Sequence, residues 1–219
     1  MVRPDVAARF PQHVTLRVLE GVPSLARERF VKILRAAVRA SHRDANGCSP
    51  DGKQPRKSRR EVAALGAVGG FRIVEFNVLG NHVHLICEAG GKIALARGIQ
   101  GFCVRATSHL NRALQRTGSV FEQRYHSRAL KTPREVRNAI AYVLLNRKHH
   151  DAAKAYGRYW FDPWSSAAWF AGWAEPVRRD EVWKRELLAM PRPTAEPETW
   201  LLAEGWKRHG LLRFDERPG

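Results

Sequence analysis

Hydrophobic and polar positions in the first 150 residues alternate with a period of two in some segments and recur at helical spacing in others. Predicted strands cover 13–18, 71–79 and 82–88, and 120–130 is a fourth extended segment. Predicted helices cover 25–41, 93–116 and a segment that starts near Thr132. Gly80-Asn81 lies between the second and third strands and predicts a hairpin turn. This order of elements predicts an α+β fold around an antiparallel sheet.

The third helix has a well-defined start in the run Thr132-Pro133-Arg134-Glu135. Threonine is a favoured N-cap, proline suits the first helical position, and glutamate three residues after the cap completes a capping box. We therefore expect the helix to begin at Pro133.

Two segments depart from this pattern. Residues 42–61 combine turn residues with a basic run and predict an exposed loop inserted into a domain that covers 1–150. Residues 151–219 are rich in tryptophan and proline and predict a C-terminal extension. Its tryptophans could stack on nucleic acid bases or form a small packed core, so the extension is expected to contact DNA or to pack on the domain.

The charge of the chain favours a polyanionic partner. Lys and Arg number 38 against 21 Asp and Glu, which gives a net charge of +17 and a sequence pI near 10.8. Nucleic acid is the favoured partner, although a ribosome-associated, membrane-surface or merely basic soluble protein would show the same excess. The candidate DNA-binding residues are Arg27, Arg35, Arg97, Arg105, Arg112, Arg124, Arg128, Arg147 and Lys148.

The composition also restricts the compartment. Cys48, Cys87 and Cys103 are widely spaced, which indicates neither a disulfide framework nor a zinc knuckle. No apolar run approaches the ~20 residues of a membrane-spanning helix. We expect a soluble cytoplasmic protein with no membrane partner.

The candidate chemistry is concentrated in two short motifs. His82 and His84 are two residues apart on a predicted strand, so both imidazoles can reach one metal ion. Tyr142 and Asn146 are four residues apart on a predicted helix and share a face. Two imidazoles and an amide oxygen suit Mg²⁺ or Mn²⁺, and a tyrosine beside such an ion is a candidate nucleophile. Each feature alone also has a structural interpretation: a chance histidine pair, a packing tyrosine, and an asparagine that ends a helix.

Two stretches of the sequence together resemble a known family. The stretch Phe76 to Ile86, with His82-Val83-His84, and the stretch Val120 to His126 followed by Ala141 to Asn146 look like motifs of the HUH transposases with one catalytic tyrosine. Among these, the REP-associated tyrosine transposases are the most similar branch. The resemblance covers about residues 13–150.

The resemblance implies a ferredoxin-like antiparallel sheet with helices on one face. It implies a bacterial, nucleoid-associated enzyme that cleaves and joins single-stranded or hairpin DNA through a 5′-phosphotyrosine intermediate and depends on a divalent metal, Mg²⁺ or Mn²⁺. By position in these motifs, Tyr142 would be the nucleophile, and His82, His84 and Asn146 the metal ligands. The residue after Asn146 is Arg147, where the branch often has proline.

Three alternatives stay open at this level. Tyr125 is a rival nucleophile. A protein that keeps the fold could bind nucleic acid without chemistry, or be a domesticated relative of a transposase. A zinc-dependent hydrolase of small molecules is disfavoured, since no further His or Asp follows His84 at metal-ligand spacing. The oligomeric state is expected to be a monomer or a homodimer.

Overall fold

A computed structural model describes residues 6–42, 70–150 and 156–216, and for 148–150 it describes the helical backbone. Residues 43–61 of the predicted basic loop therefore lie outside the described residues. The strands are β1 (Gln12–Arg17), β2 (Phe71–Val78), β3 (His82–Ala89) and β4 (His126–Ala129). The main helices are α1 (Glu28–Arg39), α2 (Lys92–Leu114) and α3 (Pro133–His150). The later segments are a 3-10 turn (Ala167–Trp169), α4 (Val182–Ala189), α5 (Trp200–Ala203) and a second 3-10 turn (Gly205–His209).

The four strands form one sheet in the order β2-β3-β1-β4, and every neighbouring pair is antiparallel. This is the strand order of a ferredoxin-like βαββαβ unit, so the predicted α+β class is confirmed. β4 is shorter than the predicted segment 120–130, because its ladder with β1 covers only 126–129. Upstream of it, Phe121 makes an isolated bridge to Val18.

Alternation along the strands gives the sheet two different faces. Val14 and Leu16 of β1, with Val83 and Leu85 of β3, belong to a hydrophobic cluster that also contains the buried residues of α1 and α2. We call this side of the sheet the α1/α2 face. It explains why the helical apolar stripes of α1 and α2 were visible in the sequence: each helix packs one side against the sheet.

The third helix lies on the opposite face, which differs from the expectation that the helices share one face. Val74 of β2 and Ile86 of β3 point to this side, where they join Ile140 and Leu144 of α3 in a second hydrophobic cluster. Because both sides of β2 and β3 carry apolar residues, both need a cover. We call this side the α3 face.

The start of α3 follows the predicted capping box. The Glu135 backbone N–H donates to Thr132 Oγ1 at 3.2 Å, and Glu135 Oε2 accepts from the Thr132 backbone N–H at 3.0 Å. Glu135 Oε2 also accepts from the Lys131 N–H at 2.7 Å. These bonds satisfy backbone donors at the helix N-terminus and determine where the helix begins.

The described part of the C-terminal extension packs on the α3 face. Phe161, Trp173, Trp206 and Phe214 are buried in the same cluster as α3. The extension also covers the outer edge of β2, since the Val78 N–H donates to the Trp164 carbonyl at 3.1 Å. Most of the tryptophans are therefore packing residues, while the domain boundary at residue 150 stays a prediction.

Two buried carboxyl groups connect the sheet to the extension. Both oxygens of Glu88 on β3 accept from the Glu198 N–H, and Glu88 Oε1 accepts from the Thr199 N–H at 2.7 Å. Glu75 on β2 accepts from the Ser166 hydroxyl. Burial raises the pKa of Glu75 to about 8, although the hydrogen bond from Ser166 opposes this shift. Glu75 is therefore protonated in the folded protein at neutral pH.

The raised pKa of Glu75 predicts a pH-dependent loss of stability. Between pH 4.5, the ordinary pKa of a glutamate side chain, and about 8, the folded state holds a proton that the unfolded chain has released, so the free energy of unfolding falls as pH rises. Over the whole pH range this loss of stability is on the order of 5 kcal/mol. The Glu75→Gln variant should not show it, because glutamine does not titrate. Urea unfolding at pH ~5 and ~8.5 should show the variant gaining stability relative to the wild type at the higher pH. An unchanged difference at the two pH values would contradict the assignment.

Candidate active site

The register of the sheet places four polar side chains in one row on the α3 face. Asn77 of β2 is opposite His84 of β3, His84 is opposite Thr15 of β1, and Thr15 is opposite His126 of β4. Directly opposite residues of antiparallel strands project to the same face. The row therefore crosses the whole sheet beneath α3.

Three of the predicted site residues meet above this row. The ring centroids of His82 and His84 are 4.7 Å apart, and that of Tyr142 on α3 is 5.2 Å from that of His84. His13 of β1 joins them, with its ring 5.2 Å from His84 and 5.8 Å from Tyr142. The structure thus brings together β3, which carries both histidines, and α3, which carries Tyr142. The rings of His84 and Tyr142 meet edge to face.

The Nδ1 atoms of both predicted metal ligands have polar partners. His82 Nδ1 is 2.6 Å from Asn81 Oδ1, an acceptor, so this nitrogen donates its proton and Nε2 carries the lone pair. His84 Nδ1 is 3.2 Å from both Thr15 Oγ1 and His13 Nε2. These are the partners that orient a metal-binding imidazole through its second nitrogen.

His13 is largely enclosed between the sheet and α3. Burial, together with the charges of Arg128 and His126, lowers its pKa to about 4. His13 is therefore neutral at physiological pH and can accept the Nδ1 proton of His84 through its own Nε2.

The cluster opens into a cleft of about 750 Å³ at the sheet surface. It is lined by Thr15, Arg17, Val18, Asn81, His82, His84, Glu122, Arg124, His126 and Tyr142. Arg17, Glu122, Arg124 and His126 are exposed at its rim, whereas Tyr142 is half-buried. A cleft of this size accommodates a nucleotide, and its rim carries more positive than negative charge.

The position of Tyr142 depends on contacts that hold α3 to β2. Asn77 Nδ2 donates to the Val143 carbonyl at 2.8 Å and to Asp162 Oδ2 at 3.1 Å. Arg147, one turn after Val143, forms an ion pair with Asp162 at 3.3 Å. Burial raises the pKa of Asp162, and the Arg147 charge opposes this shift.

Asn146 is fully buried one turn beyond Tyr142. Neither its Oδ1 nor its Nδ2 has a hydrogen-bond partner among the described residues. Buried amides normally find a hydrogen-bond partner, so Asn146 is an exception among the described residues. The structure therefore keeps Asn146 near the tyrosine but encloses it away from solvent.

The donor types fit a divalent metal ion. Two imidazoles on one strand face, both with engaged Nδ1 atoms, offer nitrogen ligands, and Asn146 offers an amide oxygen that has no partner in the described part of the chain. No group of three or more His, Cys, Asp or Glu among the described residues is arranged to hold a metal. His82, His84 and Asn146 therefore stay the predicted ligands, on the chemistry of their donor atoms.

The predicted DNA-binding arginines fall into three groups. Arg35 and Arg147 are engaged within the protein: Arg35 donates to the Pro163 carbonyl, and Arg147 stacks 3.7 Å above the Trp164 ring. The others in the described residues are exposed or half-exposed. Arg27 is the N-cap of α1, and Arg97, Arg105 and Arg112 are on α2, whereas Arg124 and Arg128 lie beside or on β4. The Lys148 side chain lies outside the described residues.

The rival nucleophile lies elsewhere. Tyr125 packs against the hydrophobic cluster of the α1/α2 face and lines a groove with Ile99 and Cys103 of α2. Glu122 borders this groove and the cleft, while its neighbour Arg124 faces the cleft. Tyr125 and Tyr142 are on different sides of the sheet, and of the two it is Tyr142 whose ring lies against the histidines.

Several site residues were not predicted from the sequence. His13, Thr15 and Arg17 alternate on β1 and share the face of His82 and His84. Their polar character within a predicted strand was a usable signal, because polar residues that share one strand face indicate that this face is not part of the hydrophobic core. His126, however, joins the site only through the pairing of β4 with β1, which no local pattern shows.

No described helix has the length and apolar character of a membrane span. No protein-family model matches the chain, and no curated protein shows significant similarity to it. A solved structure of a REP-associated tyrosine transposase bound to a REP hairpin is similar to this chain, with a TM-score of 0.46 and 14% identity over 69% of this chain and 73% of that chain. At that identity and TM-score the similarity assigns no function to this chain.

Proposed function

We propose that this protein is a metal-dependent endonuclease and strand transferase that acts on single-stranded, hairpin-forming DNA. Tyr142 is the nucleophile in this proposal, and the intermediate is a 5′-phosphotyrosine. One observation carries it: the half-buried Tyr142 ring lies against His84, whose ring in turn contacts that of His82, in an open cleft of about 750 Å³ with a basic rim.

The chain's own residues supply most of what phosphoryl transfer requires. Tyr142 Oη attacks the phosphorus, and the bond from phosphorus to the 3′ oxygen breaks, which leaves a free 3′ end. Arg17 and Arg124 at the cleft rim bind the non-bridging phosphate oxygens and keep the phosphate in place. The capping box and the Asn77 bond to Val143 hold the tyrosine helix at a constant distance from the sheet.

His82, His84 and Asn146 would hold the divalent ion, Mg²⁺ or Mn²⁺. When bound, the ion polarises the phosphate as a Lewis acid and lowers the barrier to attack by a phenol. Asn81 and Thr15 keep the two imidazoles oriented through their Nδ1 atoms.

DNA as the partner is supported by charge and by the two motifs. The net charge of +17 favours a polyanion, and residues 76–86, 120–126 and 141–146 resemble the motifs of hairpin-processing transposases. The choice of a hairpin rests on that motif resemblance.

The alternative is a non-catalytic or domesticated nucleic-acid-binding protein with the same fold. One observation favours it: the third predicted ligand, Asn146, is fully enclosed, and the two histidines alone would hold an ion weakly. Such a protein would bind DNA through its arginines and need no ion.

Replacing the nucleophile separates these two functions. Hairpin oligonucleotides labelled at the 3′ end, incubated with Mn²⁺, should give a covalent protein adduct that runs slowly on a denaturing gel. The Tyr142→Phe variant should give none, because it lacks the attacking oxygen. Tyr125→Phe is the matched control and should form the adduct normally. Binding without an adduct, over a range of hairpins and ions, would support the non-catalytic alternative.

The metal site can be tested without activity. His82→Ala and His84→Ala should weaken Mn²⁺ binding, measured by calorimetry or electron paramagnetic resonance, because each removes a ligand. Asn81→Ala should weaken it by about tenfold or more through loss of imidazole orientation. The exposed His209 provides a control, and its replacement by Ala should change nothing. If all four variants bind Mn²⁺ as tightly as the wild type, the ion does not bind at this site.

The rim arginines should contribute phosphate contacts. The double variant Arg17→Ala, Arg124→Ala should bind single-stranded DNA more weakly and flatten the plot of log affinity against log salt by about 0.7 for each phosphate that it no longer binds. Arg39→Ala, at the exposed end of α1 on the other side of the sheet, is the control. If Arg39→Ala flattens the plot as much as the double variant, DNA does not bind at the cleft.

A further inference from the structure

The cleft contains one histidine with no part in the proposed metal site. His126 is exposed on β4 and lines the cleft together with Tyr142, His82 and His84. Thr15 separates it from His84 in the row across the sheet, so the two imidazoles occupy opposite sides of that residue. In the proposed site, a phosphate in the cleft would therefore have His126 on one side and the predicted metal ligand His84 on the other.

From the rim, His126 is close enough to act on the interior of the site. Its charge is among those that lower the pKa of His13, after burial and Arg128, and the His13 ring is 5.8 Å from the Tyr142 ring. Because His126 and Tyr142 line the same cleft, this imidazole is available to a group that would leave the phosphorus there.

We propose that His126 is the general acid that protonates the departing 3′ oxygen, a role that rests on the proposed strand-transfer function. In cleavage, the Tyr142 hydroxyl proton passes to solvent as the Oη–P bond forms. The P–O3′ bond breaks, its electron pair goes to the 3′ oxygen, and that oxygen takes a proton from His126. In joining, a 3′-hydroxyl returns its proton to His126 as it attacks the phosphotyrosine, and the released Tyr142 phenolate takes a proton from solvent.

The other groups in the cleft are less suited to this step. His82 and His84 use their nitrogens for the ion and for Asn81 or Thr15. The guanidinium groups of Arg17 and Arg124 do not release protons under ordinary conditions. An exposed imidazole can give up a proton and recover it from solvent between the two steps.

Glu122 is the remaining candidate for an acid. It is exposed at the junction of the cleft and the groove beside α2. A carboxylic acid is a poorer reservoir of protons than an imidazole near neutral pH. Glu122→Gln therefore belongs in the test as the rival acid.

The test replaces the leaving oxygen by sulfur. A hairpin oligonucleotide with a bridging 3′-sulfur at the scissile bond releases a thiolate, which leaves without protonation. The rate of covalent adduct formation is measured on this substrate and on the ordinary one, with Mg²⁺. His126→Ala should be slower by about a hundredfold on the oxygen substrate. On the sulfur substrate it should approach the wild-type rate.

The control variants make the result specific. His109→Ala, an exposed histidine on α2, should match the wild type on both substrates. His126→Ala that is equally slow on both substrates, or equally fast on both, overturns the general acid role, and sulfur rescue of Glu122→Gln assigns it to Glu122 instead. A wild type that forms no adduct on either substrate removes the strand-transfer function, and the role of His126 with it.

Discussion

The site depends on the register of β1 against its two neighbours. Because side chains alternate along a strand, a slip of one residue in the pairing of β1 with β3 would set Val14 or Leu16 opposite His84 in place of Thr15. The hydrophobic cluster of the α1/α2 face prevents this, since Val14, Leu16, Val83 and Leu85 are all buried there. Burial of one face therefore determines which polar residues meet on the other.

The second constraint is the position of α3. The tyrosine helix is held at its start by the capping box, in its middle by Asn77, and further along by the ion pair of Arg147 with Asp162. Asp162 belongs to the C-terminal extension, which also pairs with the edge of β2. The extension thus contributes to the site without lining it, through the helix that carries Tyr142.

Local patterns in the sequence predicted what depends on local structure. The strand and helix periods, the Gly80-Asn81 turn and the capping box at Thr132 all follow from neighbouring residues, and the structure has them close to the predicted positions. Two other features depend on contacts between segments that are distant in the sequence, which no single segment encodes. They are the side of the sheet that α3 covers and the position of His126 in the lining of the cleft. Arg147 was predicted as a DNA contact, but its neighbour Asp162 could be identified only in three dimensions.

Burial determines which groups in the site are neutral and which are cationic. Burial and the neighbouring positive charges of Arg128 and His126 lower the pKa of His13 to about 4, so this imidazole is neutral beside His84. At the rim, Arg17 and Arg124 stay exposed and charged, and their charges reach about 8–10 Å, the screening distance at physiological salt. In the proposed function, the net charge of +17 would draw DNA to the protein from a distance, and the rim arginines would determine where the phosphate sits.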